Sequence, residues 1–428
     1  LMLGSVFQQL YTIVDTIIIG RGVGMQALAS IGAADWINWL VLWGLQGFTQ
    51  GFAILAAQEF GAGAYDRLRR VLAMIVKLSC WFGIAVTIIS LLLVRPLLTL
   101  LHTDPAVFGG AQTYLYVQFG GSLIIIAYNM AAAVLRCLGD SRTPLFAIIA
   151  ASFANIALDL LFVMGFGWGI FGASFATVLA QLIAFLLCLR SLRRLPFVQL
   201  TKADWKTNPA ILLHLCRLGI PTGLQMSMIT LGGMVLQSVL NGFGVVFVAG
   251  YTAANKLYGI LESASVAFGY AMTAYMGQNR GARNAARIDA GIRAVLVLSA
   301  EFTAAIVTAM FLAGKPLLGL FLSTEEAGAA DALAVAYQYL MVLMAFLFAL
   351  FMLQAYRSSL QGLGEMTVPT LSGFAEMLMR MGAALVLPTF IGQSGVFFAE
   401  GAAWVCAAAL NLVWYYMRIG KIKREMLK

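Results

Sequence analysis

The most regular feature of the sequence is a succession of long apolar runs, each bounded by Gly, Pro or charged residues. A helix needs about 20 apolar residues to cross a bilayer, and each run reaches that length. The strand-type alternation of apolar and polar residues is absent from segments such as Leu72–Leu93 and Leu340–Leu353. The pattern predicts an all-α polytopic membrane protein with twelve transmembrane helices, at residues 1–20, 27–57, 71–101, 110–138, 144–165, 169–190, 210–240, 246–277, 288–313, 331–361, 367–391 and 395–418.

The composition supports this fold class. Hydrophobic residues make up 61% of the 428 residues and charged residues only 11%, whereas soluble domains carry about 25% charged residues. A soluble globular protein is therefore excluded. The five cysteines are scattered singly along the chain, which argues against a disulfide framework or a structural metal site.

The basic residues are distributed unevenly among the predicted links. Of the 27 Lys and Arg residues, 21, including Arg357, are assigned to even-numbered links or the C-terminal tail, and 3 to odd-numbered links. Because cytoplasmic loops carry the excess of Lys and Arg, we expect these links and the C-terminus to face the cytoplasm from the inner (plasma) membrane. The same asymmetry accounts for the net charge of +9 without a nucleic-acid partner.

The second half of the chain repeats the first. Gln58 corresponds to Gln278 at an offset of 220, and Pro144 corresponds to Pro369 at an offset of 225. Six spans separate the copies, so the halves share one orientation and form two pseudosymmetric six-helix lobes, an architecture suited to alternating access; a duplicated channel or scaffold is the alternative. The predicted parts are an N-terminal lobe (1–190, first helix incomplete), a cytoplasmic linker (191–209), a C-terminal lobe (210–418) and a basic cytoplasmic tail (419–428).

Two aspartates lie inside predicted spans of the first half. Asp15 is flanked by apolar residues in the first span, and Asp159 lies four residues after Asn155, on the same face of the fifth. Inserting a carboxylate near the bilayer centre costs about 3 kcal/mol or more of free energy. Each of these two aspartates therefore requires a functional or structural explanation. Carboxylates and an amide are ligands for a hard cation such as Na⁺, and a close carboxylate pair equally stores a proton. Interhelical hydrogen bonding is the structural alternative.

The second half also carries charges at membrane depth, at Lys256, Glu262, Glu376 and Arg380. Glu376 and Arg380 are spaced i, i+4 and can pair, which lowers the cost of burying them. We predict a polar network here, either a neutralised structural cluster or a substrate-facing or gating network.

No enzyme or cofactor site is indicated. The GxGxxG pattern at Gly167, Gly169 and Gly172 lies in a short link between apolar helices, without the βαβ unit of a dinucleotide site. The Gly314–Lys315 pair lacks P-loop spacing, so an ATP-driven pump has no support. We therefore predict a protein that is not an enzyme and binds no cofactor.

Four segments together resemble the multidrug and toxic compound extrusion (MATE) transporters. They are QQLYTIVDTIIIGR at 8–21, RCLGDSRTP at 136–144, NIALDLLF at 155–162 and GWGIFGASFAT at 167–177. The resemblance covers essentially the whole chain. It implies two six-helix lobes around a central cavity, and export of amphipathic, often cationic compounds in exchange for H⁺ or Na⁺.

Carried over residue by residue, the resemblance implies a cation or proton site in the N-terminal lobe. Asp15 and Asp159 would carry the ion, Asn155 and Thr177 would be neutral ligands that could complete a Na⁺ site, and Asn129 would be a hydrogen-bonding neighbour. The chain departs from some members in its seventh span, which reads MITLG at 228–232 without an acidic residue. A C-terminal cation site of that type is therefore not expected.

The alternative function within the same superfamily is a flippase for lipid-linked oligosaccharides. Such a protein needs buried basic residues for a pyrophosphate, and this chain places only Lys77, Lys256 and Arg380 inside its predicted spans. The expected partners are small-molecule substrates and the lipid bilayer. Two lobes in one chain already enclose a cavity, so a monomer suffices.

Overall fold

The computed structural model of the chain describes residues 14–321 and 328–427, and all their regular structure is helical. The helices are α1 (residues 14–22), α2 (Met25–Gly61), α3 (Tyr65–Leu100), α4 (Pro105–Gly120), α5 (Ser122–Cys137), α6 (Arg142–Asp159), α7 (Gly169–Arg194), α8 (Pro209–Leu240), α9 (Val245–Gly281), α10 (Ala285–Gly319), α11 (Ala329–Gly362), α12 (Thr367–Ile391) and α13 (Phe398–Leu427).

The helices confirm the all-α polytopic fold class. Among the described residues, nine helices are long and apolar enough to cross a membrane, and the bent pair α4 and α5 meets the same criterion when taken together. Each predicted span overlaps one helix, or two helices for the fourth span, although residues 1–13 of the first span lie outside the described residues. Helix α2 has 37 residues, about 55 Å at 1.5 Å per residue, so it extends beyond the roughly 30 Å hydrocarbon core.

The predicted fourth span, 110–138, is not one straight helix. It is divided into α4 and α5, which meet at Gly121 with a bend of 49°. A Cβ atom on Gly121 would lie 2.5 Å from Cγ2 of Val178 on α7. The absence of a side chain therefore lets the bend pack directly against α7, and a glycine pair is a common cause of such a kink.

The glycine-rich motif at 167–172 forms the turn between α6 and α7. Helix α6 continues beyond Asp159 as a π-helical turn, Leu160–Gly165. Gly167 and Gly169 then adopt φ values of 67° and 54°, a region that L side chains rarely enter. The motif therefore forms the turn between α6 and α7.

The chain forms two compact units, Leu1–Gly223 and Leu224–Lys428. The lobe, linker and tail boundaries given by the sequence remain predictions. The stretch between α7 and α8 is fixed to the first unit, because Lys77 of α3 donates to the Trp205 carbonyl and to Thr207 Oγ1 at 2.5 and 2.9 Å. Lys77, predicted to lie within a span, therefore holds this stretch in place.

Helix α11 contributes many of the buried residues of the second unit. Leu340, Leu347 and Phe351 are fully buried in an apolar cluster shared with α9 and α13. Toward its C-terminal end the same helix buries polar residues, among them Arg357 and Ser359. This change from apolar to polar burial places the charged groups of the second unit inside the protein.

Candidate cation site

Packing among α1, α2, α6 and α7 brings the predicted site residues of the first unit together. An apolar cluster joins Ile18 and Ile19 of α1 to Ala27 of α2, Val163 after α6 and Ala173 of α7. Asp15 lies one turn before Ile18 and Ile19, so it shares their buried face. Asp159 lies one turn before Val163, so it points into the same region.

The Asp15 and Asp159 carboxyl groups interact with each other. Asp159 is fully buried and Asn155 is 1% exposed. Within the described residues, neither oxygen of Asp159 and neither side-chain polar atom of Asn155 has a hydrogen-bond partner. Polar groups buried this deeply are almost always paired, so the site has unused capacity for a ligand.

The chemistry of this arrangement favours a bound positive charge. Asp159 is fully buried and Asp15 partly buried. Two neighbouring carboxylates in such surroundings repel each other, so a proton or a metal cation must neutralise at least one of them. The amide oxygen of Asn155 adds a neutral ligand of the kind that Na⁺ and other hard cations accept. The residues therefore fit either a proton or Na⁺.

Thr177 and Asn129, the other two predicted site residues, occupy different surroundings. Thr177 lines a small cavity together with Asn155, and its hydroxyl donates to the Ala173 carbonyl at 3.2 Å. Asn129 donates to the Ile125 carbonyl in its own helix at 3.0 Å, and in the described part of the chain it makes no hydrogen bond to either aspartate. The structure thus places Thr177 beside Asn155 but does not connect Asn129 to the pair.

Asp35 of α2 is a third carboxylate that the sequence analysis missed. Its charge acts on Asp15. It lies one turn beyond Ile31, which packs against the α1 cluster. The sequence could have revealed Asp35, because an acidic residue within the predicted span 27–57 has the same free-energy cost of membrane insertion as Asp15.

Three elements of the second unit form a buried ion-pair network. Arg380 Nη2 lies 3.1 Å from Glu376 Oε1 and 2.8 Å from Glu400 Oε2. Its Nη1 donates to the Ile229 carbonyl at 2.9 Å. Arg357 forms an ion pair with the other oxygen of Glu376. The i, i+4 pair expected from the sequence is present, within a larger network that includes Arg357 and Glu400.

Arg357, which the sequence assigns to a cytoplasmic link, takes part in this ion-pair network near the C-terminal end of α11. Helix α11 extends to Gly362, so Arg357 lies inside a helix and is only 3% exposed. Its partner Glu376 comes from α12, and no pattern within α11 could reveal that pairing.

The two remaining residues of the predicted network differ. Glu262 lies one turn after Tyr258 on α9 and is partly buried. Lys256 is exposed on α9 and, among the described residues, forms no ion pair. Within the described residues, the ion pairs of the network therefore include neither Glu262 nor Lys256.

Asp140 lies in the link between α5 and α6 and fixes the start of α6. It accepts hydrogen bonds from the Thr143 amide and hydroxyl at 2.9 and 2.6 Å, and from the Arg142 amide at 3.1 Å. Partial burial opposes ionisation, but these bonds and one from Ser191 outweigh it and hold the pKa of Asp140 below its usual value. The carboxylate acts as a cap for the exposed amides of the first turn.

Comparison with known proteins shows the same family throughout the chain. The sequence model of the MatE family matches residues 1–161 and 221–386. The probable multidrug resistance protein YpnP of Bacillus subtilis is 32% identical over 438 residues, covering 100% of this chain and 94% of its own length. The probable multidrug resistance protein NorM of Thermotoga maritima is 24% identical, covering 96% of this chain and 89% of its own length.

Solved structures agree in fold. A MOP superfamily transporter from Pyrococcus furiosus superposes with a TM-score of 0.91 at 24% identity, covering 99% of this chain and 94% of its own. A MATE transporter in complex with MaL6 gives the same TM-score and identity, covering 99% of this chain and 95% of its own. With the sequence match over both halves, these likenesses show that the chain belongs to the MATE family of membrane transporters.

Proposed function

We propose that this chain is a secondary antiporter that exports amphipathic, often cationic drugs or toxic compounds in exchange for H⁺ or Na⁺. The observation that carries the proposal is the proximity of the partly buried Asp15 to the fully buried Asp159, whose two oxygens have no hydrogen-bond partner in the described part of the chain. A purely structural carboxylate at this depth would be paired with a donor or a basic residue. Relatives named as multidrug resistance proteins support the substrate class.

In this account, ion binding at the carboxylate pair changes the relative stability of two conformations open to opposite sides. Neutralising the pair removes charge repulsion from one conformation more than from the other. Substrate binding shifts the equilibrium in the opposite direction. Coupling requires that each ligand bind the two conformations with different affinity, because a ligand that binds both equally shifts nothing.

The residues have distinct roles in this mechanism. Asp15 and Asp159 carry the proton or coordinate Na⁺, and Asn155 and Thr177 supply neutral oxygens. Asn129 stays a predicted hydrogen-bonding neighbour of the site and does not contact the ion directly. A flippase for lipid-linked oligosaccharides is less well supported, because the buried guanidinium groups of Arg357 and Arg380 are already paired with carboxylates.

Efflux of a fluorescent organic cation from proteoliposomes tests the proposal. An imposed pH gradient or an imposed Na⁺ gradient should drive efflux by the wild-type protein. Asp159→Asn removes the ionisable group from the pair, so gradient-driven efflux should fall to the level of empty vesicles. Asp331→Asn, at an exposed position of α11, is the matched control and should retain wild-type flux.

The same assay can contradict the proposal. Undiminished gradient-driven efflux by Asp159→Asn would exclude the carboxylate pair as the coupling site. Efflux by the wild type that responds to neither gradient would exclude antiport with H⁺ or Na⁺.

A further inference from the structure

One end of the second unit contains a basic cavity, between the turn that joins α9 to α10 and the last turns of α13. Its volume is about 180 Å³, and it is lined by Arg280, Gly281, Arg283, Ile422, Glu425 and Met426. Ile422 and Met426 belong to a buried apolar cluster, whereas Arg283 and Glu425 are exposed. A single water needs only roughly 10–15 Å³ of such space. The basic cavity therefore has room for a polyatomic group.

The surroundings of the basic cavity are strongly positive. Residues 279–293 and 418–426 contain eight Lys and Arg residues and only two acidic residues. Two of the basic residues, both on α13, form ion pairs with carboxylates of neighbouring elements. Arg280 and Arg283 form no ion pair with any residue that the structure describes. Two such guanidinium groups in the lining of one cavity favour an anionic ligand.

The turn that carries the two arginines is held in place by hydrogen bonds. The Arg283 amide donates to the Arg280 carbonyl at 3.1 Å. The Asn284 side chain accepts a hydrogen bond from the Arg287 amide at 3.0 Å, and the Tyr275 hydroxyl donates to the Arg287 carbonyl at 3.0 Å. Because the backbone is already ordered, a ligand would bind here with little loss of conformational entropy.

The internal repeat shows that the arginines are particular to the second unit. At the offset of 220, Arg280 corresponds to Phe60, which packs against Phe197 with ring centroids 5.6 Å apart. Arg283 corresponds to Gly63 at the same offset. Both residues have left-handed backbones, with φ values of 54° and 67°, a conformation that glycine adopts far more readily than arginine. Stability alone favours glycine at both positions, so the arginine points to a role for its side chain.

We propose that the basic cavity binds a phosphate group, carried by an anionic phospholipid or present as a free anion, and that Arg280 and Arg283 are its ligands. Guanidinium groups bind phosphate oxygens through paired, charge-assisted hydrogen bonds. A phosphate has enough acceptor oxygens to bind two guanidinium groups at once. Basic pockets at the cytoplasmic ends of membrane helices accept lipid headgroups, and the charge of the links predicts that this end is cytoplasmic.

Glu425 is the one acidic residue among the described residues that line the basic cavity. Lys421 Nζ lies 4.0 Å from its Oε1 atom, beyond hydrogen-bond distance. The carboxylate of Glu425 would repel a bound phosphate, so it lowers the affinity that the two arginines provide. Removing the charge of Arg283 and removing that of Glu425 should therefore change phosphate binding in opposite directions.

Binding titrations of the purified full-length protein in a non-ionic detergent test the inference at constant ionic strength. One arm uses radiolabelled inorganic phosphate in equilibrium dialysis, and the other uses phosphatidylglycerol in native mass spectrometry, with phosphatidylcholine for comparison. Arg283→Gly should weaken binding by about tenfold or more without lowering the apparent Tm, because glycine suits this backbone conformation. Glu425→Gln should strengthen binding. Arg293→Gln, exposed on α10 and outside the cavity lining, is the matched control and should bind like the wild type.

The two arms also identify the source of the phosphate. Saturable binding of phosphatidylglycerol alone assigns the basic cavity to a lipid headgroup, and binding of inorganic phosphate assigns it to a free anion. The inference is overturned if neither ligand binds, if Arg283→Gly and Arg293→Gln weaken binding equally, or if Glu425→Gln binds no more tightly than the wild type. These measurements involve no transport, so their failure is distinguishable from failure of the antiport proposal.

Discussion

At the scale of single residues, Arg380 bears the most consequential contacts of the second unit. It pairs with Glu376 and Glu400 while almost fully buried. Removing one member of a buried ion pair leaves its partner uncompensated, which costs about 3–5 kcal/mol. We therefore expect Arg380→Met to lower the apparent Tm of the detergent-solubilised protein strongly, measured by intrinsic fluorescence.

The matched variant is Arg380→Met combined with Glu400→Gln. Neutralising Glu400 removes the carboxylate that loses its partner, so the double variant should recover part of the lost Tm. If the single variant melts at the wild-type temperature, the network does not contribute to stability in the way that its burial implies.

Asp140 gives a pH-dependent prediction outside the membrane. Its pKa is held below the usual value by hydrogen bonds to its carboxylate, so ionisation stabilises the folded state. This contribution is present above the ordinary aspartate pKa and is lost as the pH falls through the lower pKa of the folded state. The difference in apparent Tm between wild type and Asp140→Asn should therefore be largest at neutral pH and shrink on acidification. A difference independent of pH would contradict this.

The sequence identifies charged residues in apolar spans, because the free-energy cost of burying them can be recognised from their neighbours in the chain. Asp15 and Asp159 stand out because each interrupts an apolar run, and Asn155 follows from helical spacing. The roles of Arg357 and Glu400 depend on partners from other helices, Glu376 and Arg380 of α12. Asp35 also interrupts an apolar run, and the sequence analysis did not include it.

At the scale of elements, close approach of backbones is prominent in the first unit. Gly47 and Gly51 of α2 face Gly219 and Gly223 of α8, and a Cβ on Gly51 would lie 2.5 Å from the Gly219 Cα. Small residues four apart on both helices permit this contact. We expect Gly51→Ala to destabilise the protein by about 1–3 kcal/mol through overpacking.

Gly109 of α4 is the matched control, because a Cβ there meets nothing within 4 Å. Gly109→Ala should leave stability unchanged or raise it by up to about 1 kcal/mol, since alanine favours the helix. Thermal unfolding of both variants in the same detergent compares them. Equal Tm values would show that α2 and α8 have room for a methyl group.

The elements themselves were largely predictable, but their breaks were not. Hydropathy identifies a span because it sums transfer free energies along the chain, and that sum is insensitive to backbone direction. The fourth span therefore reads as one run, although α4 and α5 are bent by 49° at Gly121. The cause of that bend includes packing against Val178, more than fifty positions away in the sequence.

At the scale of the whole molecule, the internal repeat and the family membership agree on a transporter built from two related halves. The halves have diverged in their buried charges. The first has Asp15 near Asp159, whose two oxygens have no hydrogen-bond partner among the described residues, whereas the second has fixed ion pairs around Arg380. The proposed function therefore assigns coupling of transport to the carboxylates of the first unit.

The central claim is that ion and substrate movements are coupled through Asp159, and thermodynamic coupling is reciprocal. The most direct test is to load proteoliposomes with substrate and no ion gradient, and to record lumenal pH and Na⁺ with entrapped dyes as substrate leaves. The account predicts that the substrate gradient alone drives H⁺ or Na⁺ inward through the wild type and not through Asp159→Asn. Substrate efflux with no ion movement, or equal ion movement in both proteins, would contradict it.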